Sequence, residues 1–146
     1  MSECIFCRIL AGESEASIVF RDDVCTAFLT IEPVTPGHTL VVPNTHYRDI
    51  HELPDDVAGR MFQVAKKVAG AFARSGLRTE GVNVVMCNGT AASQTVFHAH
   101  IHVNPRFQGD GFSWNMPAGF GEGVERVELE RLAAVLRDAI EPSAIR

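Results

Sequence analysis

Residues 97–103 read Phe-His-Ala-His-Ile-His-Val, an alternation of histidine with apolar residues. Successive side chains on a β-strand point to opposite faces of a sheet, so the pattern predicts a strand whose imidazoles, His98, His100 and His102, share one face. The residues between them form an apolar face that a sheet can pack against a helix layer. Because that packed face is complete without the histidines, the imidazole face is available for chemistry.

Two kinds of chemistry fit this imidazole face. Imidazoles two positions apart on a strand lie about 6.6 Å apart and can bind one Zn²⁺ with a position left open for water, which predicts a metal-dependent hydrolase. Alternatively, a largely neutral imidazole can attack phosphorus while its neighbour donates hydrogen bonds to the phosphoryl oxygens in the transition state. The residues alone leave both hypotheses open.

Helix and strand patterns extend in both directions from this segment. Helical spacing over residues 4–11, an apolar repeat from Pro54 at the first helical position to a stop at Gly76, and leucines spaced along residues 129–140 predict three helices. Because the elements do not alternate as βαβ units, the fold class is α+β, with a mostly antiparallel five-stranded sheet, one long helix and a C-terminal helix. The predicted strands are 17–21, 24–30, 38–43, 81–86 and 95–104.

Length and composition narrow the class of protein. The chain has 146 residues, 46% of them hydrophobic, and a formal net charge of −5, which predicts a single globular domain over residues 1–146. No apolar run approaches the ~20 residues that cross a bilayer and no export signal is seen, so we expect a cytoplasmic protein with no membrane partner. The acidic balance argues against binding long nucleic acid, although a single nucleotide in a pocket is compatible with it. No organic cofactor is expected.

Four further segments follow a known pattern. They are Ala27-Phe28-Leu29, Pro36-Gly37-His38-Thr39-Leu40-Val41-Val42-Pro43, Ser93-Gln94-Thr95-Val96-Phe97 and Asn104-Pro105-Arg106. Together with the alternating histidines they resemble the histidine-triad (HIT) superfamily, in particular its bacterial HIT-like, Hint-type branch. The resemblance covers about residues 4–106 and implies the HIT-like fold. Residues 107–146 diverge, in the part of the chain where such proteins usually differ in substrate preference.

The resemblance implies a nucleotide hydrolase or transferase. His100 would attack the α-phosphate of a nucleoside phosphoramidate or dinucleoside polyphosphate and become transiently nucleotidylated, and His102 would contact that phosphate. His98 and His38 would complete the catalytic group. The positions implied for binding the purine nucleotide are Phe6, Ile9, Phe28, Thr30, Ile31, Asn88, Ser93, Gln94 and Thr95.

Several positions depart from the pattern of the relatives. Thr30 stands where relatives commonly have an aspartate that holds the ribose hydroxyls, and a hydroxyl makes only a neutral, weaker bond. Ser93 stands for a glycine, Cys87 for an asparagine and Asn104 for an apolar residue. The changes at Thr30 and in the phosphate loop motivate a third hypothesis, a nucleotide-binding regulatory protein with negligible turnover.

The spacing Cys4-x-x-Cys7 near the N-terminus fits a structural zinc site, a pair of reduced thiols without metal, or a redox pair. Too few residues precede Cys4 for the strand that a redox motif follows. The resemblance implies a structural zinc held by Cys4, Cys7, His46 and His98, a Cys₂His₂ set. It also implies a homodimer.

Overall fold

The computed structural model describes residues 3–140 and confirms the α+β class with a five-stranded antiparallel sheet. The chain forms two compact units, Met1–Phe112 and Ser113–Arg146, and the assignment of residues 1–146 to one domain stays a prediction. The first unit contains α1 (Ile5–Leu10), β1 (Ile18–Arg21), β2 (Cys25–Leu29), β3 (Thr39–Pro43), α2 (Asp55–Phe72), β4 (Gly81–Met86) and β5 (Ile101–Arg106), and the second contains α3 (Arg126–Ala139).

The sheet has the strand order β1-β2-β3-β5-β4, and every neighbouring pair is antiparallel. The hairpin between β1 and β2 forms because the Asp22 carboxylate accepts the backbone N–H groups of Val24 and Cys25, each at 2.8 Å. In the centre of the sheet, β5 pairs with both β3 and β4. The last histidine of the triad, His102, is therefore held between two strands.

The two faces of the sheet carry separate apolar cores. Val41 of β3 packs with α2, whereas its neighbours Leu40 and Val42 pack with Phe6 of α1. This is the alternation that side chains of one strand must show. The sheet therefore has α2 on one face and α1 on the other, and the imidazoles belong to the α1 side.

The long helix α2 follows the predicted apolar repeat. Met61 in its middle is fully buried, and the first turn carries Asp55 and Asp56, which complement the positive end of the helix. Two details differ from the prediction. Pro54 is the N-cap and not the first helical residue, and the helix ends at Phe72, so Gly76 with φ +80° lies in the following turn.

Strand β5 begins later than predicted, at Ile101 and not near residue 95, and it extends to Arg106. His98 and His100 therefore precede the regular strand. The pairing of β3 with β5 ends at Val41 opposite Ile101. Continued, this register would bring Pro43 opposite Ala99, and a proline has no N–H to donate to a ladder. The N–H of Ala99 instead donates to the carbonyl of Tyr47 at 2.7 Å.

The second unit confirms the predicted C-terminal helix. α3 presents an apolar row to solvent, and its leucines at 129, 132 and 136 are 40%, 42% and 63% exposed. Its polar side carries salt bridges, such as the one between Arg131 and Glu128 at 2.7 Å. Within residues 3–140, no helix combines the length and the apolar character needed to cross a membrane.

Candidate functional site

A cavity of about 970 Å³ opens beside the triad in the first unit. His38, His100 and His102 line it together with apolar side chains of α1 and of the segment that follows β2. Six of the residues predicted to bind the nucleotide line the same cavity: Phe6, Ile9, Phe28, Thr30, Ile31 and Thr95. The structure thus brings a mostly apolar slot and a group of imidazoles into one space.

A chain of hydrogen bonds fixes the protonation of two of these imidazoles. The backbone N–H of Val34 donates to Nδ1 of His38 at 3.0 Å, so the proton of a neutral His38 is on Nε2. That Nε2 is 2.9 Å from Nδ1 of His102 and donates to it. The proton of His102 is therefore on its own Nε2, which makes this atom a hydrogen-bond donor.

His100 carries its proton on the other ring nitrogen, Nδ1. Its Nδ1 lies 2.7 Å from the backbone carbonyl of His98, and a carbonyl can only accept, so Nδ1 carries the proton. Nε2 of His100 is left with a lone pair. Phe6 packs edge-on against this ring, with ring centroids 5.2 Å apart, which restricts its rotation. The arrangement is that of an oriented nitrogen nucleophile.

Burial keeps the imidazoles neutral. Desolvation lowers the pKa of His100 and of His38 below the usual value, and the same effect, with the neighbouring imidazoles adding repulsion, lowers the pKa of His102 to about 4. His100 is only 4% exposed. A neutral ring is the nucleophilic form, so the site is in its reactive protonation state at pH 7.

The first histidine of the triad faces away from this cavity. His98 is fully buried, its Nε2 donates to the carbonyl of Pro43 at 2.9 Å, and burial lowers its pKa to about 4. Its Nδ1 keeps a lone pair and lies 3.5 Å from the sulfur atoms of both Cys4 and Cys7. His98 therefore connects the triad to the cysteine pair.

Three of the residues predicted to bind the nucleotide do not line the cavity. Asn88 accepts the backbone N–H of Ile50 at 2.8 Å. Gln94 is buried, with its Oε1 bonded to the N–H of Gly89 and its Nε2 donating to two backbone carbonyls. Ser93 is exposed and has a positive φ of 69°. These residues shape the loop between β4 and β5, and side-chain contact with a nucleotide stays a prediction for them.

The cavity is also lined by residues that the sequence did not predict. Two are carboxylates, Glu15 and Glu32, and the N–H of Glu32 donates to the Thr30 hydroxyl at 3.2 Å. Acidic residues in loops are common, so no sequence signal singled these out. Ile5 was within reach, because it is one helical turn from Ile9 on α1. The remaining unpredicted lining residues are Ala16, Ser17, Leu29, Leu40 and Val96.

The second feature of the site is a cluster of cysteine and histidine side chains at the start of α1. The ligand atoms of Cys4, Cys7, His46 and His98 all lie within 4.8 Å of one another, and within residues 3–140 no other group of three or more such side chains converges in this way. In particular, the three triad imidazoles do not form such a group. The structure thus assembles the four predicted zinc ligands and gives no support to a metal held by the triad.

Three sulfur–nitrogen distances in the cluster match the edges of a tetrahedral zinc site. With Zn–S of about 2.3 Å and Zn–N of about 2.0–2.1 Å, the sulfur–nitrogen edge of a tetrahedron is about 3.6 Å long. Nδ1 of His98 is 3.5 Å from each sulfur, and Nδ1 of His46 is 3.3 Å from the sulfur of Cys7. One nitrogen lone pair cannot accept two S–H groups well, whereas a cation between the four atoms satisfies all of them. The donor set therefore fits Zn²⁺.

Comparison with known proteins shows which proteins the chain is similar to. The family model of the HIT domain matches residues 11–109. Protein hit of Bacillus subtilis is 44% identical over 110 residues, which are 75% of either chain. The Adenylylsulfatase HINT3 of Arabidopsis thaliana is 34% identical over 109 residues, which are 75% of this chain and 55% of the plant protein.

Solved structures show the same fold. A member of the HIT family from Bacillus subtilis superposes with a TM-score of 0.87 at 35% identity, over 97% of this chain and 100% of that one. A Zn-bound histidine triad family protein from Mycobacterium smegmatis gives 0.74 at 37% identity, over 95% and 98% of the two chains. A histidine triad nucleotide-binding protein from Candida albicans gives 0.82 at 30% identity, over 94% and 96%.

Proposed function

The chain belongs to the HIT family, and from this membership we propose that it is a nucleotide hydrolase or nucleotidyl transferase that works through a covalent nucleotidyl–His100 intermediate. The observation that carries the proposal is the fixed orientation of His100, whose protonated Nδ1 is bound at 2.7 Å while the ring lines the cavity. The names of two similar proteins, an adenylylsulfatase and a nucleotide-binding protein, support a nucleotide as the ligand.

In the first step, the Nε2 lone pair of His100 attacks the α-phosphorus of the substrate. A P–N bond forms, the bond to the leaving group breaks, and the leaving group departs with the electron pair and takes a proton from water. The attacking ring becomes cationic, and the carbonyl of His98, which accepts its Nδ1–H, stabilises that charge. The Nε2–H of His102 donates to a phosphoryl oxygen as negative charge develops there.

In the second step, water attacks the phosphorus of the nucleotidyl–His100 intermediate. A P–O bond forms, the P–N bond breaks and its electron pair returns to Nε2, a proton of the attacking water passes to solvent, and a nucleoside monophosphate is released. An amine or an alcohol in place of water would give transfer instead of hydrolysis. His38 holds the proton of His102 on the correct nitrogen in both steps, because its own Nδ1 is occupied by the N–H of Val34.

The apolar walls of the cavity fit a purine. Phe6 and Phe28 pack edge-on with ring centroids 5.3 Å apart, and Ile9 and the 96% exposed Ile31 line the same space. A flat base placed there would cover Ile31 from water, which favours binding by the hydrophobic effect. The Thr30 hydroxyl already accepts a backbone N–H, so its O–H donor and one lone pair are left for a ribose hydroxyl.

A structural zinc would be held by Cys4, Cys7, His46 and His98 and would supply a closed tetrahedral link between the N-terminus and the triad segment. His98 would then be fixed through both ring nitrogens, since its Nε2 is bound to Pro43. Its carbonyl, which positions His100, is fixed with it. The chain's own residues thus form a support for the nucleophile that does not touch substrate.

A turnover assay with adenosine 5′-phosphoramidate and with a diadenosine polyphosphate tests the proposal. We expect release of adenylate by the wild type and loss of turnover in His100→Ala, while His51→Ala, at an exposed position outside the cavity, keeps it. Turnover that persists in His100→Ala would rule out the mechanism. Tight nucleotide binding with no product at excess protein would instead identify a regulatory binding protein.

We also propose that the protein is a homodimer, as its resemblance implies. The exposed apolar row of α3 supports this assignment, since Leu132 and Leu136 lie on one side of the helix and are exposed in the single chain. Analytical ultracentrifugation of the wild type is expected to give a dimer. A monomer at micromolar concentration would contradict the assignment, and Leu132→Asp with Leu136→Asp tests whether this row forms the interface.

A further inference from the structure

Cys4 and Cys7 are the chemically reactive part of the cysteine–histidine cluster. Neither is in a disulfide, both are partly exposed, and their sulfur atoms lie no more than 4.8 Å apart. Cys4 is the N-cap of α1 and Cys7 is in its first turn, so the two thiols project from adjacent positions of one short segment. Such a pair can bind a metal ion as two thiolates or form one disulfide.

These two states differ in the contacts that they provide to the ring of His98. In the thiolate state the two sulfur atoms, each 3.5 Å from Nδ1 of His98, would hold a zinc ion together with that nitrogen. In the disulfide state neither sulfur atom is a thiolate ligand, and His46 and His98 alone cannot close the site. Of the contacts made by its two ring nitrogens, the buried His98 ring then keeps only the hydrogen bond from Nε2 to the Pro43 carbonyl.

The loss reaches the nucleophile through His98 and through Phe6, which lies between the two cysteines in the chain and packs on the His100 ring. The carbonyl of His98 accepts the Nδ1–H of His100 at 2.7 Å, so any added freedom of His98 is added freedom of the attacking ring. Part of the nucleotide slot comes from the segment after β2, such as Thr30 and Ile31, whereas Phe6 of its α1 wall lies between the two cysteines in the chain. Oxidation is therefore expected to act mainly on the covalent step.

We propose that Cys4 and Cys7 are a redox switch that controls the proposed nucleotidyl transfer to His100. The oxidant is a low-molecular-weight disulfide. One cysteine thiolate attacks it and expels one thiolate, and the other cysteine then attacks the mixed disulfide and expels the second. Two electrons pass from the cysteine pair to the external disulfide, a Cys4–Cys7 disulfide forms, and Zn²⁺ leaves to solvent.

The other two cysteines do not share this chemistry. Cys25 is fully buried, and burial raises the pKa of its thiol to about 11, so it is present as the unreactive thiol. Cys87 is half-buried next to the loop that follows β4, and a Cys87→Ala background removes its contribution. In that background any oxidation by an external disulfide reports on Cys4 and Cys7.

The test uses the full chain loaded with zinc in the Cys87→Ala background. The protein is equilibrated with oxidised glutathione, and three quantities are measured: Zn²⁺ release with a coloured chelator, disulfide formation by peptide mass, and the rate of His100 nucleotidylation in a single turnover. We expect one Zn²⁺ released per Cys4–Cys7 disulfide and a nucleotidylation rate lower by about tenfold or more. Dithiothreitol with added zinc should restore the rate.

Cys4→His supplies the matched variant, since it keeps four zinc ligands but cannot form the disulfide. Compared with its own rate before treatment, this variant should keep both zinc and nucleotidylation in oxidised glutathione. Zinc retained by the parent protein, or a disulfide formed with no change in rate, would overturn the switch. The zinc and mass measurements do not depend on activity, so a reduced protein that never nucleotidylates His100 would refute the proposed function separately.

Discussion

Replacing His38 by phenylalanine tests the hydrogen-bond relay that sets the protonation of His102. The phenyl ring fills a similar volume at a position that is only 5% exposed, so the packing is kept while both nitrogens are lost. The N–H of Val34 and Nδ1 of His102 each lose a partner. An unsatisfied buried group costs about 1–3 kcal/mol, and the half-exposed Val34 falls at the low end, so we expect unfolding to require about 2–4 kcal/mol less.

The larger effect should be on the rate. Without His38, the proton of His102 can move to Nδ1, and Nε2 then presents a lone pair and not a donor to the phosphate. Removal of one such donor costs up to about 10²–10³ in rate, and because part of the population keeps the correct form we expect about 10–100-fold. Single-turnover nucleotidylation measures it, with His51→Phe at an exposed position as the control. A folded His38→Phe protein with the wild-type rate would refute the relay.

Three other predictions concern pH, metal and backbone. Because burial lowers the pKa of His102 to about 4, its contribution to stability is complete above pH 6.5 and is lost as the pH falls towards 4. The free energy of urea unfolding should therefore fall more steeply over this pH window in the wild type than in His102→Asn. Equal slopes for the two proteins would contradict the assignment. Exhaustive chelation should lower the melting temperature and remove bound zinc, and an unchanged melting temperature would show that zinc does not support the fold. A Cβ at Gly37, with φ +99°, would lie 2.9 Å from Leu77 Cδ1, whereas Gly12, with φ +78°, has open space. Gly37→Ala should therefore cost about 2–3 kcal/mol in urea unfolding and Gly12→Ala about 1 kcal/mol, and equal losses would show that the close contact is relieved.

Much of the fold follows from local patterns in the sequence. The apolar repeat of α2 is readable because its buried residues recur once per turn, and β4 has the predicted bounds of Gly81–Met86. The start of β5 was not readable in this way. It depends on where the pairing with β3 ends, at Val41 opposite Ile101, and this is a matter of register between strands distant in sequence.

In the site, too, local sequence patterns predict some features, while others depend on contacts between residues distant in sequence. The alternation of the triad indicated three imidazoles on one side of the chain, and the resemblance indicated the group around the cysteine pair. The sequence could not show that His98 turns its ring to Cys4 and Cys7 while its carbonyl holds His100, because side chain and backbone of one residue serve two sites. Glu15 and Glu32 entered the cavity wall without any local signal, through the packing of loops.

The most direct test of the account is to trap the covalent intermediate. The protein is mixed with one equivalent of adenosine 5′-phosphoramidate, denatured within milliseconds at alkaline pH, where the P–N bond survives, and digested for peptide mass mapping. The account predicts an adenylate group on His100, absent from His100→Ala and slower to form in His38→Phe. Product release with no adduct on the protein, or an adduct on another residue, would contradict it.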